Sequence, residues 1–297
     1  MNQETTTGRG RRGLKAVVPG FLVEWVRRRR RRRRRANRRA RIAAAIRSDD
    51  IFVVGHPKSG NTWLTYMLAI LVRQDFDQKI NLANIGQFAP TIHARDHAIP
   101  DFEELSSPRI FRNEGPVHPD LYPRTIYIVR DPRAVLLSYY HHCVHDTGRS
   151  DWSIVDFVDE MLREGCIPAL EPFQTRWDDK LAEWKRRAGQ QPVLFVRYED
   201  LKKDRRAVLA EIARFASIDA SDALLDEAAA RGAFDRMRSE EETVGAESYA
   251  GEKGAKGYFV RKGKVDSWKE EMPDDVIRRI EDTFTTGMER LGYLDAD

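Results

Sequence analysis

Ile51-Phe52-Val53-Val54-Gly55-His56-Pro57-Lys58-Ser59-Gly60-Asn61-Thr62-Trp63 is the stretch on which the reading of this chain turns. Four consecutive apolar residues, rich in β-branched side chains, follow the polar Ser48-Asp49-Asp50. Such a run predicts a strand buried on both faces, as in a parallel sheet. A glycine-rich loop, Gly55–Gly60, comes next, and a helix is predicted from Asn61 to about Arg73. The loop nearly follows the phosphate-binding spacing in which a second glycine is followed by Lys and then Ser or Thr. In a strand–loop–helix turn of this kind, backbone N–H groups and the helix N-terminus cradle an anionic phosphate. Here Asn61 occupies the lysine slot, and the lysine stands three residues earlier, at Lys58. In an NTPase the late lysine reaches the β- and γ-phosphates while Ser/Thr holds Mg²⁺. A lysine inside the loop suits a shorter phosphate chain, and no acidic strand end offers itself as a metal partner. The pattern therefore speaks against a Mg-dependent nucleotide kinase, which stays as the first rival reading.

The same grammar recurs downstream. Thr125–Val129 reads as a second buried strand, followed by Arg130-Asp131-Pro132 and a helix with Pro132 in its first turn, where its fixed φ and missing donor cost nothing. Pro192–Val196 reads as a third strand, running into Arg197-Tyr198-Glu199-Asp200. Three such units predict an α/β fold, a P-loop-like doubly wound parallel sheet flanked by helices in a single domain, with its site at the strands' carboxyl ends. Residues 240–263, rich in Gly, Lys and Glu, read as a mobile loop or lid, and Pro273–Arg290 as a closing helix.

Composition adds bounds. The 297 residues carry a formal charge of +4, unevenly spread. Residues 1–48 hold 17 Lys/Arg against Glu4 and Glu24, a local charge of +15 that includes nine consecutive arginines, Arg27–Arg35. The other 249 residues hold 34 basic and 45 acidic groups, so they carry −11. The basic pI therefore belongs to a tail, and no specific nucleic-acid partner is implied for the body. We expect residues 1–48 to be a disordered Arg-rich extension and residues 49–297 to be the catalytic domain. Residues 21–41 combine Phe21, Leu22, Trp25 and Val26 with the arginine run, which suits an anionic membrane surface. This gives the second rival reading, a non-enzymatic binder of anionic surfaces through the tail. Cys143 and Cys166 make neither a disulfide framework nor a metal cluster. No apolar run approaches the ~20 residues of a membrane span. A cytoplasmic protein, able to sit peripherally at the inner face of a membrane, is the expectation.

Pro57-Lys58-Ser59-Gly60-Asn61-Thr62-Trp63 resembles the 5′-phosphosulfate loop of sulfotransferases that use 3′-phosphoadenosine 5′-phosphosulfate (PAPS), whose usual form is Pro-Lys-Ser-Gly-Thr-Thr-Trp. Arg130-Asp131-Pro132 with Ser138 and the pair Tyr139-Tyr140 is similar to the family's 3′-phosphate element. Arg261-Lys262-Gly263 with Trp268-Lys269 is similar to its C-terminal Arg-Lys-Gly…Trp-Lys. Weaker matches are Tyr198-Glu199-Asp200, whose tyrosine meets the adenine in the family, and Phe234 with Met237, whose phenylalanine stacks on it. The resemblance runs in order through residues 51–294 and implies PAPS as co-substrate, with no metal. It implies that Lys58, Ser59, Gly60, Asn61, Thr62 and Trp63 surround the 5′-phosphosulfate and adenine. Arg130, Ser138, Arg261, Lys262 and Gly263 are implied at the 3′-phosphate, and Tyr198 and Phe234 at the base.

The sequence departs from the family at the catalytic base. Many members read Lys-Thr-His before the second strand; the corresponding residues here are Arg112-Asn113-Glu114. A carboxylate within hydrogen-bond reach can take the acceptor's proton as its oxygen attacks sulfur. Glu114 is the preferred base and His118 its rival. Lys58 and Arg112 are expected to neutralise the departing phosphate oxygen. The acceptor is a small molecule, glycan or lipid bearing a hydroxyl or amine, and its pocket is expected from residues 75–108, 143–175 and 240–258, including Phe88, His93, Phe102, Trp152, Phe157, Phe173 and Tyr249.

Overall fold

The computed structural model describes residue 37 and residues 39–91, 103–115, 118–146, 152–165, 175–244 and 263–294. The chain separates after Ala44 into two units, and the second, Ala45–Asp297, contains the sheet and the helices around it. The centre of this unit is a four-stranded, all-parallel sheet made of β1 (Ile51–Gly55), β2 (Ile110–Asn113), β3 (Arg124–Val129) and β4 (Val193–Arg197), in the order β2-β1-β3-β4. β1 is buried along its whole length, as its unbroken apolar run requires. It pairs Ile51 with Ile110 on one side and with Arg124 on the other. From β1 the chain first turns to β2 on one edge and then crosses to β3 on the other, so the crevice at the carboxyl ends of β1 and β3 lies where the winding reverses. Ligand sites of open α/β sheets form at such a point.

The sequence reading found three of these strands. β2 went unread as a strand because only Ile110 and Phe111 separate Arg109 from Arg112, too short an apolar run to show a period. What holds it in place is tertiary. The Arg109 guanidinium grips the Asp50 carboxylate with two bonds, Nε to Oδ1 at 2.8 Å and Nη2 to Oδ2 at 2.6 Å, both side chains fully buried. A planar fork on a carboxylate fixes geometry as well as energy, and this pair aligns the start of β2 with the start of β1.

Helices cover both faces. α1 (Asn61–Arg73) is buried from Asn61 through Leu71, as expected of a helix that is apolar all round. It lies between the sheet and α8 (Asp222–Arg231). Before α8 come a short α2 (Ile85–Phe88), then α3 (Pro132–Asp146), α4 (Ile154–Glu164) and α5 (Trp177–Ala188) around the sheet. α6 (Tyr198–Lys203) starts directly at the end of β4 and is followed by α7 (Arg205–Ala216). After α8 the described chain forms α9 (Phe234–Val244), α10 (Trp268–Glu271) and α11 (Asp274–Arg290). α9 corrects part of the lid reading. Residues 240–244 complete a helix whose Glu240 accepts a 2.9 Å bond from the Tyr66 hydroxyl; the rest of that lid lies outside the described residues. The expected closing helix is α11, entered from Pro273. No helix among the described residues is long and apolar enough to cross a membrane.

Candidate active site

All four strands deliver a candidate residue at their carboxyl ends. The loop after β1 turns through His56–Gly60, with Ser59 N donating to His56 O at 3.1 Å. Lys58 (φ 67°) and Gly60 (φ 100°) both lie in the left-handed region. A tight turn with left-handed residues on either side of Ser59 can bring backbone N–H groups onto one concave face, a nest for an anion. Gly60 is required twice over, by its φ and because an added Cβ would stand 2.8 Å from the Tyr198 ring. α1 then begins, and its first N–H groups have no intrahelical partner. The Ser59 hydroxyl is buried and has no partner among the described residues.

Arg130, just past β3, reaches back to this loop. Its Nη1 donates to Lys58 O at 3.0 Å, and its guanidinium lies 4.3 Å over the Tyr198 ring. Asp131 does not pair with it. That carboxylate instead pairs with Arg133, which also bonds Glu281 of α11 and covers the Trp268 ring at 3.9 Å. The tryptophan of the C-terminal motif is thereby docked beside the Arg130 turn. The Nε of Arg130 is buried with no partner among the described residues, and the Arg130 carbonyl accepts from Trp177 Nε1 at 3.1 Å. Ser138 stands half-buried two turns into α3.

Trp63 and Tyr198 meet at 5.2 Å between ring centres, and Trp63 Nε1 donates to Gly232 O at 2.8 Å. Phe234 begins α9 with the Lys202 ammonium 5.4 Å from its ring centre. Gly263 (φ 60°) packs so closely on the Phe234 ring that a Cβ there would overlap it. Three predicted aromatic residues and one glycine of the C-terminal motif thus fall in two adjacent clusters. Arg261 and Lys262 lie outside the described residues, as do His93, Phe102, Phe173 and Tyr249. Phe157 is fully buried among Tyr139, Tyr140 and Trp152. It packs the core rather than facing an acceptor.

β2 contributes Arg112 and, one residue past its end, Glu114. Arg112 spans from β2 to the loop, donating Nη1 to the Thr62 hydroxyl and Nε to the Thr91 hydroxyl at 2.9 Å. The Glu114 carboxylate accepts from Asn61 Nδ2 at 3.3 Å. His118 lies four residues on, at the entry to a short 3₁₀ turn.

Two residues linked to Glu114, Lys180 directly and His56 through Asn61, have no role assigned from the sequence. Lys180, on α5, is buried and donates its ammonium to the Glu114 carbonyl. Its signal was available: Trp177, Leu181 and Trp184 mark the apolar face of α5, and Lys180 lies on that same face. A charge on a core-facing stripe is costly unless partnered. His56 is fully buried, its ring Nδ1 3.1 Å from Pro57 O. Burial first, and the Lys180 charge second, hold its pKa down to about 3. It is a neutral imidazole at physiological pH.

A family model described as a sulfotransferase domain matches residues 48–292. The chain is a member of the PAPS-dependent sulfotransferase family. Among curated relatives, this sulfotransferase is 26% identical to the rabbit (Oryctolagus cuniculus) amine sulfotransferase over 82% of each chain. It is 26% identical to mouse (Mus musculus) sulfotransferase 1E1 over 82% of this chain and 84% of that one. Its fold is that of retinol dehydratase in complex with retinol and PAP (TM-score 0.65, 18% identity, 86% of each chain). A mouse sulfotransferase complexed with PAP gives a TM-score of 0.58 at 22% identity over 82% and 84% of the two chains. Among the described residues of this sulfotransferase, no group of His, Cys, Asp and Glu is arranged to hold a metal ion.

Proposed function

We propose that this sulfotransferase moves a sulfuryl group from PAPS to a hydroxyl or amine by in-line displacement at sulfur, with Glu114 as general base. One observation carries the reading. The Glu114 carboxylate stands 3.3 Å from Asn61, the residue that opens α1 directly behind the phosphate nest. The group that would take the acceptor's proton thereby faces the loop that would hold the donor.

The protein groups fit a nucleotide carrying two separated phosphates. Ser59 Oγ and Arg130 Nε are buried with no partner among the described residues, a state that usually signals a missing partner. In this reading Lys58, Ser59, Gly60, Asn61 and Thr62 hold the 5′-phosphosulfate. Arg130 and Ser138, with Arg261, Lys262 and Gly263, hold the 3′-phosphate. Trp63, Tyr198 and Phe234 flank the adenine. When bound, PAPS supplies an activated sulfuryl group on a phosphate leaving group. Lys58 and Arg112 meet the charge that grows on the departing oxygen, and fixed cations in a dry site stabilise it without reorganisation. Glu114 accepts the acceptor's proton. The acceptor is a small molecule, glycan or lipid; the amine sulfotransferase among the relatives supports including amines.

The test is a pair of variants. Glu114→Gln keeps the shape but accepts no proton, so turnover should fall roughly 10²–10⁴-fold with PAP affinity nearly unchanged. If His118→Ala shows that loss and Glu114→Gln does not, the base is His118.

A further inference from the structure

We infer that Asn61 is a positioning residue for the Glu114 base, an inference that rests on the reading of Glu114 given above. The nitrogen of the Asn61 carboxamide has two neighbours, His56 O at 3.0 Å and Glu114 Oε1 at 3.3 Å. Both accept only, so the atom facing them is the nitrogen, and each of its two hydrogens has a destination. One bond anchors the amide to the backbone of the phosphate loop, and the other reaches across to the carboxylate. A threonine hydroxyl, usual in this slot in the resembling family, has a single hydrogen and cannot make both bonds. The second bond is long for an N–H···O contact, as catalytic contacts are before substrates are in place.

The surroundings are built around this amide. Asn61 is buried, and its Oδ1 lies so close to Gly55 that a Cβ there would stand 2.5 Å from it. Gly55 therefore leaves the room in which the carboxamide sits. Glu114 is held a second time through its backbone, where Lys180 donates to its carbonyl. Backbone and side chain are thus fixed by different elements, α5 and α1. In this reading the other carboxylate oxygen, Oε2, meets the acceptor proton. Loop and base are joined through one side chain, and both Asn61 and Glu114 differ from the usual residues of the resembling family.

The test is a double-mutant cycle in the full chain over Asn61→Thr and Glu114→Gln. PAP affinity is read by calorimetry. The rate of sulfuryl loss from PAPS is read with 2-naphthol and with water alone. Asn61→Thr should lower the rate roughly 10- to 100-fold, the scale of a misplacement of about 1 Å, while PAP affinity stays within about threefold, because both side-chain hydrogens are committed elsewhere and residue 61 meets the phosphosulfate through its backbone N–H, which threonine keeps. In the Glu114→Gln background the same substitution should change the rate by less than about twofold, because residues acting as one unit are not additive. Asn61→Ser, which is smaller and meets nothing at Gly55, repeats the cycle if the threonine variant fails to fold. Multiplicative rate losses, or a PAP affinity that falls in step with the rate, overturn the inference and leave Glu114 as base. A parental rate in Glu114→Gln alone overturns the base assignment, and the inference with it.

Discussion

Replacing Arg130 should weaken nucleotide binding more than removal of one charge alone would. Its guanidinium makes two separate contacts with the protein. Nη1 donates to Lys58 O at 3.0 Å and so pins the left-handed turn of the phosphate loop. The plane of the guanidinium lies 4.3 Å over Tyr198, fixing its direction. In the proposed complex Nε, buried with no partner among the described residues, meets a phosphate oxygen. A charge-assisted phosphate contact is worth about 1.5–3 kcal/mol. Loss of that contact in Arg130→Met should weaken PAP binding roughly 10- to 150-fold. Arg130→Lys is the sharper probe. An ammonium keeps the charge but has no planar fork, so it cannot bond Lys58 O, stack on Tyr198 and meet a phosphate together. We therefore expect Arg130→Lys to recover less than half of the lost binding free energy, measured by titration calorimetry with PAP at fixed salt. Full recovery by lysine would show that only the charge matters and would refute the argument from shape.

Other outcomes are set by the same geometry. Gly60→Ala forces a Cβ toward the Tyr198 ring at a φ of 100°; strain and overpacking together cost about 2–5 kcal/mol, read by urea unfolding, and Tyr198→Ala should return part of that loss. His56 has a folded pKa of about 3 against an ordinary 6.5, so the unfolded chain binds the extra proton as pH falls. Stability from this residue is complete above the ordinary value and is lost on acidification, at about 1.4 kcal/mol per pH unit. Urea unfolding at about pH 5.5 and pH 4 should show that slope in the parent in excess of His56→Gln; equal slopes would mean that the imidazole is charged in the fold. The Arg-rich extension, residues 1–48, is proposed to bring the enzyme to an anionic membrane. The full chain should co-sediment with phosphatidylserine vesicles at low salt and release at high salt; failure to sediment at low salt ends the membrane proposal.

The nucleotide elements were legible in the sequence because each is local. A buried strand, a loop with a defined lysine and glycine, and a helix start all lie within residues 51–63. The turn at Arg130–Pro132 is equally compact, and short-range spacing carries its chemistry. The strand at Ile110–Asn113 was hidden for the opposite reason: two apolar residues give no period, and its place depends on Arg109 meeting Asp50 far away in the chain. The aromatic residues Trp63, Tyr198 and Phe234 were nameable only by resemblance, since an isolated aromatic residue is more often core.

By itself, the sequence determined the fold class and the order of the phosphate elements, because those depend on residue types at fixed local spacing, while the candidacy of Glu114 came from the resemblance to the family. Only the tertiary structure decided what surrounds the carboxylate. Asn61 of α1 bonds both the Glu114 carboxylate and the His56 carbonyl of the loop after β1, and Lys180 of α5 bonds the Glu114 carbonyl. The sheet order and the packing of α5 set those contacts. Contacts between residues 53 and 66 positions apart leave no period in a sequence. They exist because β1 and β2 are neighbours, so that the carboxyl end of one strand stands beside the loop of the other.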